Sequence, residues 1–290
     1  MDALRSVGEW PVEHAAAGVA RTSAHRAERP LVLGTTGPGD RPFDWASVTK
    51  LATSLAALVA VEEETVGLDD PAGPPGSTLR HLLAHASGLG PEAGPAVAPP
   101  GTARIYSNAG YEVLAEFLEA RAGIPFAEYL SVGVLDPLGM SSTVLDPPSA
   151  AGAAAGLAGP LVDLLALGCE LLAPTLVSTD THREAVTVQF EGLAGVLPGF
   201  GRYAPCDWGL GPEIRDAKRP HWTGSANAPS TFGHFGRSGS FLWVDPVAGV
   251  ACAGLSSRPF GPWAARAWPA LADAVLAEVG VAPTPPDPGR

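Results

Sequence analysis

Residues 44–61 read DWASVTKLATSLAALVAV, and between Trp45 and Val61 the only charged side chain is Lys50. Val48, Leu51, Ala52, Leu55 and Val59 recur at helical spacing, and the positions between them are mostly small or apolar. A helix that is apolar on every side is a buried one, so the segment predicts a helix through the interior rather than along a surface. In the following EEETVGLDDP, acids, Gly67 and Pro71 mark where it ends.

Lys50 is one of only two lysines in the chain, the other being Lys218. No acid inside the run can pair with it. Burying an unpaired ammonium costs several kcal/mol, and the usual escape is a lowered pKa that leaves a neutral amine, which is a base. Ser47 stands three residues earlier, and side chains at i and i+3 of a helix are neighbours with Cβ atoms about 5–6 Å apart. Lys50 therefore reaches the Ser47 hydroxyl. With the helix beginning between Asp44 and Ala46, Ser47 lies at its positive end, where a developing oxyanion is favoured. This is the arrangement of an activated serine nucleophile. The same residues also admit a lysine that snorkels to the surface from the first turn.

Around that helix the chain is organised in three parts. A short amphipathic start, DALRSVGEW, precedes two strand-like pieces, HAAAGVAR and PLVLGTTG, joined by the polar turn TSAHRAER. The middle is mostly helical in spacing, as in LRHLLAHASGL, NAGYEVLAEFLEARAG and LVDLLALGCELLA, interrupted by the Gly/Ala-rich PPSAAGAAAGLAGP, read as an ordered loop. After residue 200 the strands DWGLGPEI, TFGHFG, SGSFLWVDP and GVACAGLSS follow, then a last helix, PWAARAWPALADAVLAEVG. The expected fold class is α+β: an antiparallel sheet built from N- and C-terminal strands and flanked by terminal helices, with a mostly helical insertion. Residues 1–46 and 197–290 would form the sheet domain and 47–196 the helical one, with the active site between them. Only the tail APTPPDPGR reads as disordered.

A net charge of -12, without any cluster of Lys and Arg, disfavours a nucleic-acid partner, and none is expected. Cys169, Cys206 and Cys252 have neither metal-ligand nor redox spacing and read as reduced packing residues. Pairs such as His81/His85 and Asp69/Asp70 do not make a metal site, and no cofactor is expected. No apolar run approaches the length of about 20 residues that spans a bilayer, and the N-terminus lacks the pattern of a signal peptide. The expectation is a cytoplasmic protein without a membrane partner; the oligomeric state is not legible.

SVTK, LLAHASGL, YSNAGY, PLGM and GHFGRSG, in this order over roughly residues 40–260, resemble the penicillin-recognising serine hydrolases: class C β-lactamases, DD-peptidases and the esterases that share their fold. The resemblance implies a β-lactamase/transpeptidase-like fold in which Ser47 is the acylated nucleophile and Lys50 its proton acceptor. Tyr106 and Asn108 would match the Tyr-x-Asn motif. The Tyr, as a phenolate or through Lys, would assist the leaving group and the deacylating water, and the Asn amide would orient the substrate. An adjacent cation can lower a phenol far enough for such base work. His234 and Gly236 would fill the place of a Lys-Thr-Gly strand motif, and the N–H of Arg237 would join that of Ser47 in the oxyanion hole.

The chain departs from that pattern at Phe235, where β-lactamases usually carry a Thr that helps hold the substrate carboxylate. Arg237 could supply a carboxylate partner or point away. Glu112, Glu116 and Glu119 read as a solvated helix face rather than a deacylating acid. Trp208, His221 and Trp222 are candidates for the pocket wall, whereas His81 and His85 read as structural. The implied activity is hydrolysis of small-molecule esters or amides through an acyl-enzyme, with weak or absent β-lactam turnover. Alternatives are a non-catalytic ligand-binding module on the same scaffold and a genuine β-lactamase or DD-peptidase. An α/β-hydrolase is disfavoured because no Gly-x-Ser-x-Gly elbow occurs in the chain.

Overall fold

The computed structural model describes residues 1–22 and 30–280. Most of the turn read over residues 22–29, and the tail from 281, lie outside the described residues. The chain begins with a 3-10 helix, Ala3–Glu9, and strands β1 (Ala15–Arg21), β2 (Leu31–Thr36) and β3 (Phe43–Asp44). Then come α1 (Thr49–Glu62), α2 (Leu79–Leu83), α3 (Asn108–Ala122), α4 (Phe126–Leu130), β4 (Val144–Leu145), β5 (Leu157–Gly159), α5 (Leu161–Leu172) and α6 (Thr179–Ala185). The last part comprises β6 (Gly195–Leu197), β7 (Gly201–Tyr203), β8 (Glu213–Ile214), β9 (Phe232–Gly236), β10 (Ser240–Asp245), β11 (Val250–Ser256) and α7 (Ala264–Glu278).

The main sheet has the strand order β2-β1-β11-β10-β9-β8, and every pairing in it is antiparallel. Strands from both ends of the chain thus share one sheet, with β1 between β2 and β11 as the seam. β10 and β11 are buried at every position, which requires cover on both faces. On one face, Leu271, Val275 and Leu276 of α7 pack with Leu4 and Val7 of the N-terminal 3-10 helix against Val19, Trp243 and Cys252. On the other, α5 lies across β1, β10 and β11, so tightly that a Cβ on Gly168 would come within 2.9 Å of Leu242. A helix from the inserted region therefore completes the sheet's own core.

Every residue of α1 from Thr49 to Ala60 is buried, as the all-round apolar pattern requires. The ordered-loop reading of 147–160 is refined: the segment contains a 3-10 turn at Ala150–Gly152, and its strand β5 lies between β3 and β4 in a small second sheet. Of DWGLGPEI only Glu213–Ile214 forms a strand, and of LRHLLAHASGL only Leu79–Leu83 forms a helix. Backbone hydrogen bonds to loops replace regular structure in the remainder, for example Leu210 N to Ala185 O and Ile105 N to His85 O.

Candidate active site

The site begins at the entrance to α1. A 3-10 turn, Ala46–Val48, runs directly into the helix, and Ala46 adopts φ 44°, left-handed backbone that is uncommon for a residue with a Cβ. That turn is held from both sides. The Trp45 indole donates to Gly159 O at 3.1 Å, while Ser238 Oγ donates to Asp44 O and Ser240 Oγ to Trp45 O, both at 2.7 Å. Gly236 is required where β9 meets this turn, because a Cβ there would lie 2.4 Å from Trp45 O and 3.0 Å from Ala46 Cβ.

Lys50 is fully buried, and the snorkelling alternative is excluded. Its Nζ lies 2.8 Å from Asn108 Oδ1, 2.7 Å from Ala154 O and 3.5 Å from Ser47 Oγ. Burial lowers its pKa from the ordinary 10.5 to about 7, with Glu112 opposing only in part. A neutral amine has two N–H groups and one lone pair. Asn108 Oδ1 and Ala154 O can only accept, so they take both N–H groups and leave the lone pair for the Ser47 hydroxyl.

Ser107 caps α3 by accepting from Gly110 N at 2.8 Å and donates to Gly90 O at 2.6 Å, which fixes Tyr106 just before the helix and Asn108 as its first residue. The Tyr106 hydroxyl donates to Ser47 Oγ at 2.7 Å, and Lys50 Nζ lies 4.8 Å from the centre of the Tyr106 ring. Burial pushes the Tyr106 phenol well above its ordinary value, outweighing the Ser47 hydrogen bond. Of the two roles open to Tyr106, phenolate or partner acting through Lys50, its burial favours the second. Desolvation dominates, and Tyr106 is held as a phenol.

His85, structural by its sequence context, packs against this machinery. Its ring centre is 4.7 Å from that of Tyr106, and its Nδ1 accepts from Ser107 N at 3.2 Å. His81 is a capping partner of Thr78 at the start of α2. Both Tyr111, which bonds Ser54 and Leu83 O, and the main-chain carbonyl of Ala154 went unnoticed in the sequence. A carbonyl supplied by a Gly/Ala-rich stretch leaves no side-chain signal.

On β9, His234 is buried and its pKa falls to about 3, mainly through burial and then through Lys50. Its Nδ1 lies 2.8 Å from Phe235 O, so Nδ1 carries the proton and Nε2, unpartnered among the described residues, is a bare acceptor. His234 stands in the strand position that the resemblance gives to a lysine, but it cannot supply that lysine's charge.

Ser47, Tyr106, Asn108, Trp208, His234, Phe235 and Arg237 all border one cavity of about 690 Å³. Its wall is largely apolar, with Pro91, Ile105, Leu197 and Phe260 among the contributors. Three expected wall residues are placed differently. His221 turns to Glu213, its Nε2 3.0 Å from Oε2. Gly236 faces the nucleophile turn. Trp222 stacks behind Phe235, with ring centres 5.6 Å apart, and donates to Glu213 at 3.1 Å. Glu213 itself reaches the cavity and was not anticipated. Burial would raise its carboxyl, but His221 and Lys218 beside it bring the pKa down to about 2, with Lys218 Nζ only 2.7 Å away. The chain's second lysine is therefore buried too, as one half of an ion pair.

The sequence pattern of the Beta-lactamase family matches residues 6–277. The chain belongs to that family. A solved structure from Mycobacterium bovis described as a β-lactamase is 53% identical, covers 96% of this chain and 99% of its own, and superposes with a TM-score of 0.91. The hydrolase EstCE1, described as having promiscuous acyltransferase activity, is 18% identical over 93% of this chain and 95% of its own, with a TM-score of 0.75, and so shares the fold. A putative D-alanyl-D-alanine carboxypeptidase from Salmonella enteritidis is 26% identical over 56% of this chain and 47% of its own length. The chain spans about half the length of the curated relatives it matches.

Proposed function

We propose that this Beta-lactamase-family serine hydrolase cleaves small esters or amides through an acyl-enzyme on Ser47, with little or no β-lactam turnover. The observation that carries the reading is the pair of hydrogen-bond partners on Ser47 Oγ: a buried amine poised near neutral pH and a phenol at 2.7 Å. Lys50 takes the Ser47 proton as Oγ attacks the substrate carbonyl. The N–H groups of Ser47 and Arg237 receive the oxyanion, which the positive end of α1 further favours. Tyr106, kept protonated by burial, gives its proton to the leaving oxygen or nitrogen, and the Lys50 ammonium restores it. The same relay run in reverse activates the water that releases the acid. Asn108 holds Lys50 through its carbonyl oxygen and has its amide nitrogen left for the substrate.

The names of the Mycobacterium and Salmonella relatives favour a second reading, β-lactamase or DD-carboxypeptidase activity. Phe235 and the uncharged His234 weigh against it, because neither can hold a substrate carboxylate. A non-catalytic binding role would leave the Ser47–Lys50–Tyr106 relay without purpose. Cys206 and Cys252 are buried free thiols, which supports the cytoplasm as the proposed compartment. The test is fluorophosphonate labelling followed by intact mass, with Ser47→Ala as control. An adduct on the wild type alone supports the proposal, and no adduct on either sinks it. Nitrocefin turnover matching that of the best ester would replace the ester reading by the β-lactamase one.

A further inference from the structure

We infer that Arg104 is a positioning residue for the acid step: its guanidinium clamps together the loops that hold the Tyr106 phenol on Ser47. The inference deepens the hydrolase reading of Ser47 and rests on it. Arg104 stands two residues before Tyr106 and is buried in the cavity wall. Burial brings its pKa from 12.5 down to about 10, so it is a cation at neutral pH. A buried charge is costly unless its donors are bonded. Nε donates to Cys206 O at 3.1 Å, Nη1 to Ala84 O, and Nη2 to Gln189 O at 2.6 Å and Phe190 O at 3.3 Å. Every one of these acceptors is a main-chain carbonyl, so the guanidinium joins three separate loop segments instead of forming an ion pair.

Those segments carry the ring neighbours of Tyr106. Ala84 immediately precedes His85, whose φ of 53° is left-handed backbone uncommon for a residue with a Cβ. The His85 ring packs on Tyr106, and its Nδ1 accepts from Ser107 N. Cys206 stands two residues before Trp208, and Gln189 N donates to Trp208 O at 2.9 Å. The Trp208 ring centre lies 6.0 Å from that of Tyr106. The main chain of Arg104 adds a further tie, to the β6–β7 hairpin. Its N donates to Ala194 O at 3.0 Å, and it bridges Gly195, where a Cβ would come within 2.5 Å of Arg104 O.

A guanidinium is a rigid planar fork able to bond several segments at once, whereas an ammonium is a compact point charge. Displacing Arg104 therefore releases the supports of His85 and Trp208 together, and the 2.7 Å contact between Tyr106 and Ser47 loosens. Lys50 draws its partners from Ser47, Asn108 and Ala154, outside these loops, so its function as base should survive.

The test measures kcat/KM, which reports acylation alone, for ethyl, phenyl and 4-nitrophenyl acetate with wild type and Arg104→Lys. An ethoxide leaving group needs a proton, and 4-nitrophenolate does not. For Arg104→Lys the ethyl acetate value should fall by about 100-fold, the cost of misplacing a reacting group by about 1 Å, with phenyl acetate in between. The 4-nitrophenyl acetate value and the rate of fluorophosphonate labelling should stay within about threefold of wild type, because neither requires the general acid. Should Arg104→Lys fail to fold, Gly195→Ala, which displaces Arg104 and keeps its charge, should give the same selective loss. Equal losses for all three esters and for labelling, or no loss for any, overturn the inference and leave the hydrolase reading intact. No fluorophosphonate adduct on the wild type removes both.

Discussion

The pH dependence of acylation measures the environment of Lys50 directly. The neutral amine is the active form, so kcat/KM should follow the neutral fraction, low in acid and level in base. With a pKa of about 7, that fraction is about 0.09 at pH 6 and about 0.9 at pH 8, a rise of about tenfold that is then nearly complete. An unburied lysine at 10.5 would be neutral to only about 0.3% at pH 8, with the rate climbing about tenfold for each further pH unit. The two profiles separate cleanly between pH 7 and 9. Burst measurements of p-nitrophenolate release, across buffers of constant ionic strength, isolate the acylation step. A log kcat/KM that still rises with unit slope at pH 9, or that is flat from pH 5 to 9, refutes the argument. The displacement from 10.5 to about 7 corresponds to roughly 5 kcal/mol against the charged form. Because the folded pKa lies below the unfolded one, the unfolded chain binds more protons between these values, and stability should rise with pH across that window. Lys50→Met should accordingly raise the melting temperature at pH 7 while abolishing turnover.

Tyr106→Phe keeps the ring on His85 and removes only the proton donor; kcat should fall by about 100-fold or more, with the loss greatest for esters whose leaving alcohol has a high pKa. Glu213→Gln strips the buried Lys218 of its counter-charge and should cost about 3–5 kcal/mol by denaturant titration. For wild type, the folded Glu213 pKa of about 2 lies below the ordinary 4.5, so its stabilisation is complete above pH 4.5 and disappears as the pH falls towards 2. Gly236→Val forces a side chain against Trp45 O and Ser240 Oγ, both 2.4 Å from the first added carbon, and should lose acylation before it loses the sheet. Unchanged fluorophosphonate labelling of that variant would contradict the packing of β9 on the nucleophile turn.

The elements that sequence reading located well are those with a repeating local pattern. α1, α3, α5 and α7 show helical spacing over three turns or more, and β9, β10 and β11 are bounded by Gly, Asp and Pro. Missed were β3, β4, β5 and the β6–β7 hairpin, whose strands of two or three residues are too short for alternation to appear. The hairpin matters most, because it forms part of the cavity wall.

The sequence by itself determined that Lys50 stands one helical turn from Ser47 inside an apolar helix, and that Tyr106, Asn108 and His234 follow in a recognisable order. Only the tertiary structure decided their chemical states. Lys50 becomes a base because burial penalises its charge, while Ala154 O, from a segment with no side-chain signature, and Asn108 Oδ1 take its N–H groups. Tyr106 stays a phenol and His234 a neutral acceptor for the same reason. Spacing along a chain is a local property that residues reveal in order. Protonation depends on desolvation and on partners brought from far along the chain, and these exist only after the core has closed.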